Sequence, residues 1–110
     1  MAQFRLFKGT NGQYYFHLKA DNGEKVLGSE GYLAKSGCQN GIDSVKINAP
    51  YDVRYERKIS VSNRYYFNLT ASNGQVIGTS EMYNSSYSRD NGIEVVKRIA
   101  TSATTIDESI

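Results

Sequence analysis

The chain is written twice. Displacing it by 51 positions lays residues 4–50 over residues 55–101 without a gap, with 16 identities in 47 aligned positions. The identities cluster in motifs. Tyr14-Tyr15-Phe16 meets Tyr65-Tyr66-Phe67, and Asn22-Gly23 meets Asn73-Gly74. Ser29-Glu30-x-Tyr32 meets Ser80-Glu81-x-Tyr83, and Asn40-Gly41-Ile42 meets Asn91-Gly92-Ile93. Self-similarity at one fixed displacement means one supersecondary unit used twice. Each copy carries six basic and four acidic residues, so neither is a charged tail.

Within a copy, the spacing of apolar residues assigns the elements. Tyr14, Phe16, Leu18 and Ala20 alternate with Tyr15, His17 and Lys19, and Tyr65, Phe67, Leu69 and Ala71 do the same in the second copy. Period two marks a strand with one buried face. The Asn-Gly pairs that follow predict tight type I′ hairpin turns into short strands at Lys25-Val26-Leu27 and Val76-Ile77. A strand at Phe4–Lys8 precedes, so each unit opens as a three-stranded meander.

Asn40-Gly41 and Asn91-Gly92 look like further turns, but the spacing is helical. Ala34, Cys38, Gly41, Ile42 and Val45 fall on one helix stripe, as do Gly92, Ile93, Val96 and Ala100. The predicted helices cover 33–48 and 84–100, and Pro50 is a stop for the first. A mid-helix glycine costs about 1 kcal/mol relative to alanine, so two of them imply close approach of the helix backbone to the sheet. Phe4, Tyr55 and Ile106 lie 51 apart. Residues 53–58 then read as a strand shared between the units, and 104–107 as a closing strand. A lone meander with one helix leaves open edges, so the two units are expected to join into one sheet and one domain over 1–110.

The doubled pattern Asn-Gly, Ser-Glu-x-Tyr, Asn-Gly-Ile-x-x-Val-Lys, spanning about residues 4–107, resembles the YegP-like proteins, a bacterial family of unknown function. The resemblance implies an α+β fold: tandem β(3)-α-β units in one sheet with exchanged C-terminal strands. The sheet is expected to be antiparallel, with both helices on one face. No activity, cofactor or catalytic residue comes with it. Cys38-Gln39 and Tyr87 look individual to this chain.

Composition narrows the function classes by exclusion. Thirteen Lys+Arg against eleven Asp+Glu leave a net charge of +2, too balanced to demand an electrostatic partner. One cysteine excludes an intrachain disulfide. No segment has the apolar length of a signal peptide or a bilayer span, so a soluble cytoplasmic protein with no membrane partner is the expectation. With one Cys and one His, a zinc site is essentially excluded, and no Gly-rich phosphate loop appears, so no cofactor is called for.

The candidates for chemistry all favour structural readings. His17 lies on the polar strand face and aligns with Asn68. Cys38 sits on the apolar helix stripe, where a thiol is a small hydrophobe, and aligns with Arg89. Ser29-Glu30 and Ser80-Glu81 recur just before each helix, where a carboxylate is stabilised by the helix N-terminus; a catalytic dyad is the weaker reading. The Ser-rich Asn84–Ser88 reads as capping chemistry.

With both helices on one side, the other sheet face should display Arg5, Phe7, Tyr15, His17, Lys19, Lys58, Tyr66, Asn68 and Thr70. The candidate binding face is Arg5, Phe7, Tyr15, His17, Lys19, Lys58 and Tyr66. The favoured function is a small non-enzymatic binding or interaction module whose partner, protein or nucleic acid, the sequence leaves open, with a monomer feasible and a dimer not excluded. The alternative is single-stranded nucleic acid on the aromatic and basic groups of that face. An enzyme comes last, because no acid–base pair or nucleophile constellation can be assembled.

Overall fold

In the computed structural model, which describes residues 1–110, each repeat opens with three strands: β1 (Gln3–Lys8), β2 (Tyr14–Lys19) and β3 (Lys25–Gly28), then β4 (Tyr55–Ile59), β5 (Tyr65–Thr70) and β6 (Val76–Thr79). The hairpin turns are not of type I′. All four use three-residue loops in which only the last residue has positive φ: Gly12 (83°), Gly23 (84°), Asn63 (61°) and Gly74 (86°). The third loop position takes the left-handed conformation, and glycine does so at no steric cost. In three of these loops an Asn at the middle position locks the turn. Asn11, Asn22 and Asn73 Oδ1 each accept the backbone N–H two residues on, at 3.0 Å.

Helices α1 (Lys35–Asn48) and α2 (Ser86–Ile99) fall where their stripes place them, and β7 (Thr104–Asp107) closes the chain. Ser85 caps α2 by accepting the Ser88 N–H at 3.0 Å, whereas α1 starts at Ala34 with no side-chain cap. The buried stripes are Cys38, Gly41, Ile42, Val45 and Asn48 on α1, and Arg89, Gly92, Ile93, Val96 and Ile99 on α2.

The seven strands form one sheet in the order β4-β5-β6-β3-β2-β1-β7. The meanders meet at Gly28↔Thr79, so a pseudo-twofold axis passes between the two central strands. The sheet is mixed rather than antiparallel throughout, because β7 runs parallel to β1, from Gln3↔Thr104 to Leu6↔Asp107. Counting through the antiparallel pairs, β6 runs opposite to β1, so the chain reverses through α2 and β7 comes to lie parallel to β1. The region 53–58 also differs from expectation. Residues Asp52–Arg54 form a 3₁₀ turn, and β4 begins at Tyr55, pairing only with β5 of its own meander. Nothing pairs with the other edge of β4, at the position that β7 takes beside β1.

Phe4, Leu6, Phe16, Leu18, Leu27, Phe67 and Leu69 meet Ile42, Val45, Ile93 and Val96 in one cluster of 19 buried residues. Helix α1 packs on β1 and β2 and also on β5 and β6, while α2 packs on β5 and on β3 of the first repeat. The core therefore crosses the repeat boundary.

A candidate binding surface on the uncovered sheet face

On the face away from the helices, one row of side-chain positions runs across all seven strands: Ile106, Arg5, His17, Gly28, Thr79, Asn68, Glu56. Beside it, Phe7 opposes Tyr15 on β1 and β2, their rings stacked at 5.7 Å, and Phe7 meets the edge of His17 at 4.8 Å. Phe7, Tyr15 and His17 are each half-buried, so the group is partly open to solvent. Burial, then Lys25 and Lys19, lower the His17 pKa, which leaves a neutral ring at pH 7.

The seven candidate residues do not form one site. Arg5, Phe7, Tyr15, His17 and Lys19 sit together on β1 and β2. Lys58 and Tyr66 face each other on β4 and β5, beyond β3 and β6, with β5 roughly 14 Å from β2 at ordinary strand spacing. Thr70 is not displayed at all: a register shift between Leu69 and Thr70 turns it inward, where its hydroxyl donates to the Arg54 carbonyl at 2.9 Å. Of the candidate basic groups Arg5 is already paired, with Glu108 at 2.6 Å, and so is the neighbouring Lys25, with Glu81 at 3.2 Å. Asn68 is engaged too, through Thr79 Oγ1 at 2.8 Å.

The repeated Ser-Glu-x-Tyr motif is framework, and the carboxylates in it cap no helix. Glu30 and Glu81 lie before the helix starts, and Glu81 pairs with Lys25 instead. The serines do the structural work. Ser29 Oγ accepts the Phe16 N–H at 2.9 Å and donates to the Glu30 carbonyl at 2.9 Å. Ser80 does the same between Phe67 (2.9 Å) and the Glu81 carbonyl (2.8 Å). Each hydroxyl supplies the acceptor that the sheet loses as the chain turns out of it.

The tyrosines explain the helix glycines. A Cβ on Gly41 would sit 2.9 Å from Tyr32 Cζ and 3.2 Å from Phe16, and one on Gly92 would sit 2.8 Å from Tyr83 Cζ. The close approach is thus to a loop tyrosine first and to the sheet second. Burial raises both phenol pKa values. Cys38 is fully buried and its thiol is pushed up to about 11, by burial first and Asp107 second, so it is not a nucleophile at neutral pH.

No three His, Cys, Asp or Glu side chains converge as a metal site, and no helix is long and apolar enough to cross a membrane. Three clefts mark the surface. One of about 420 Å³ lies between Glu30-Gly31-Tyr32 and Gln75-Val76-Ile77, and the other two lie near Asp21 and Arg98 and near Asp43 and Thr105. Glu30 is the only carboxylate lining the first.

Two meanders joined in one sheet, each with its Ser-Glu-x-Tyr turn locked under a helix glycine, describe the whole chain. The model of a domain of unknown function, DUF1508, matches it twice, over residues 10–56 and 60–107, and the chain belongs to that family. It is 52% identical over 104 residues to the UPF0339 protein in the ptx operon 5′ region of Stutzerimonas stutzeri, covering 94% of each chain. It is 45% identical over 106 residues to the UPF0339 protein YegP of Escherichia coli K12, covering 96% of each. The solution NMR structure of UPF0339 protein SO3888 from Shewanella oneidensis superposes with a TM-score of 0.92 at 45% identity, over 98% of this chain and 92% of that one. That of yegP from E. coli, described as a protein of unknown function, gives 0.93 at 44% identity, over 98% and 93%.

Proposed function

We propose that the chain is a non-enzymatic binding module, a single domain of two repeats whose contact surface is the uncovered face of β1 and β2. The observation that carries this reading is the half-exposed group of Phe7, Tyr15 and His17 on a face that no helix covers. Stacked aromatics left open to solvent offer apolar area at low entropic cost, the usual anchor of an interface. The enzyme reading has little support, because the cleft at Glu30 has no second acid or base beyond a phenol held against Gly41.

The test compares partners retained from a bacterial lysate by the wild-type chain and by Phe7→Thr/Lys19→Glu, which should fold alike because neither side chain is in the core. Partners held by the wild type and lost by the variant support the reading; identical sets refute it.

A second reading, single-stranded nucleic acid on the same face, draws on the Phe7–Tyr15 stack with Lys19 nearby. Neutralisation of Arg5 and Lys25 by carboxylates weighs against it. A fluorescently labelled oligo-dT titrated at low and at physiological salt separates the two, since phosphate-driven binding weakens steeply with salt.

A further inference from the structure

The pseudo-twofold axis relates two corners of the sheet that have the same framework and different fillings. In the first corner, the start of β3 faces the loop Glu81-Met82-Tyr83. The Lys25 side chain crosses Gly28, where a Cβ would lie 2.8 Å from Lys25 Cε, and its ammonium sits 3.2 Å from the Glu81 carboxylate. In the second corner, the start of β6 faces Glu30-Gly31-Tyr32. The 51-residue displacement puts Val76 in place of Lys25, Gly31 in place of Met82 and Thr79 in place of Gly28. Val76 is too short to reach the carboxylate, and the side-chain direction at Gly31 is taken up by Gln13 and the Tyr15 hydroxyl. The second corner is consequently an open cleft of about 420 Å³, and none opens at the first. The Glu30 carboxylate makes no ion pair and no hydrogen bond, whereas Glu81 has its lysine.

We propose that the Glu30 cleft binds a primary alkylammonium, taking from a ligand the group that the other corner supplies from its own chain. The ammonium pairs with Glu30 and the alkyl stem lies on Val76 and Ile77. The filled corner is the precedent for the ion pair: the equivalent carboxylate already holds an aliphatic ammonium, while Thr79, standing where Gly28 lets the Lys25 stem pass, sends a ligand's stem along Val76 and Ile77 instead. The cleft volume falls within the range of small-molecule sites. Free aliphatic amines and lysine side chains share this chemistry. The proposal does not depend on the β1–β2 face.

The test is a titration of the ¹⁵N-labelled full chain at fixed ionic strength, with n-pentylamine and with N-acetyl-lysine methylamide, and with n-pentanol as the uncharged control. Expected are saturable shifts confined to the amides of Glu30–Tyr32 and Gln75–Ile77 with the amines, and none with pentanol. The tighter of the two amines identifies the source, small molecule or protein. Glu30→Gln should weaken binding by about fivefold, the upper end for one exposed ion pair. Val76→Lys with Thr79→Gly, which copies the filling of the first corner, should occupy the cleft from within and block binding. Lys25→Val should unpair Glu81, open the first corner and add a second set of shifts around Glu81. Non-saturating shifts spread over all the acidic residues, or binding unchanged in Glu30→Gln, would overturn the proposal.

Discussion

Ser80→Ala removes one oxygen and should be among the more damaging single changes outside the apolar core. In an antiparallel strand the N–H and C=O of one residue point to the same side. The Phe67 carbonyl accepts the Ser80 N–H at 2.9 Å, so the Phe67 N–H also faces β6, and its acceptor there is the Ser80 hydroxyl at 2.9 Å. Alanine leaves that amide unpaired at a site where residue 80 is only 7% exposed. A buried donor without a partner costs about 1–3 kcal/mol, and burial this deep places Ser80→Ala at about 2–3. Ser29→Ala is the internal control. It breaks the same bond to Phe16, but at a half-exposed position where water can replace the hydroxyl, so it should cost about 1 kcal/mol. The unfolding entropy of a chain of this length is about 0.23 kcal/mol/K, so Tm should fall by roughly 9–13 °C for Ser80→Ala and about 4 °C for Ser29→Ala. Urea unfolding at constant m, alongside thermal melts, measures both. Equal losses in the two variants, or a loss below about 0.5 kcal/mol at Ser80, would refute the assignment of the motif to hydrogen-bond completion.

Gly92→Ala should destabilise by about 1–2 kcal/mol, because overpacking against Tyr83 and Phe67 outweighs a helix-propensity gain of about 1. In a Tyr83→Ala background the same change should turn neutral or stabilising, read by a double-mutant cycle of urea melts. The Ser109 and Lys35 contacts hold the Asp107 carboxyl down to about 2. A depressed folded pKa gives stability that is present above the unfolded value and lost as pH falls through the folded one. Amide exchange in β7 should therefore accelerate relative to β2 between pH 4 and pH 2, and Asp107→Asn should abolish that pH dependence. Cys38 should resist a thiol reagent in the native chain at pH 8 and react at once in denaturant, as its burial and raised pKa require.

Much of this fold was legible because its signals are periodic and stated twice. The alternation from Tyr14 to Ala20 and the stripe through Gly41, Ile42 and Val45 each specify an element whose identity depends only on local spacing. The parallel course of β7 was not legible, since a strand of four residues carries no mark of its partner's direction. The turn type was missed for a local reason: Asn-Gly suits type I′, but Asp21 and Ser72 join the loops and move the left-handed residue to third place. The candidate face was legible as a face and not as a site. Residue alternation says which side of a strand Lys58 and Tyr66 occupy, while strand order, which puts β3 and β6 between them and Phe7, is set by pairing at long range. The Lys25–Glu81 pair was missed because its partners belong to different repeats and meet only across the pseudo-twofold axis.

That axis gives a physical criterion for separating framework from function in a duplicated chain. For the serines and tyrosines that both repeats keep in the Ser-Glu-x-Tyr motif a shared mechanical role accounts for the repetition: serine hydroxyls complete the sheet, and tyrosines pack where helix glycines leave room. A site used for binding gains nothing from being symmetric within one chain unless its ligand is symmetric too, so it should appear where equivalent positions diverge without disturbing the fold. The divergent pairs on the uncovered side are Phe7 with Lys58, His17 with Asn68, Lys25 with Val76 and Gly31 with Met82. The first two create the aromatic group on β1 and β2, and the third leaves the Glu30 carboxylate without the lysine that Glu81 has. None of the four belongs to the apolar core cluster that Phe16, Leu18, Phe67 and Leu69 help to form, apart from the stems that border it. Their divergence is therefore not explained by packing, and it marks the two places where this chain should be probed for a ligand.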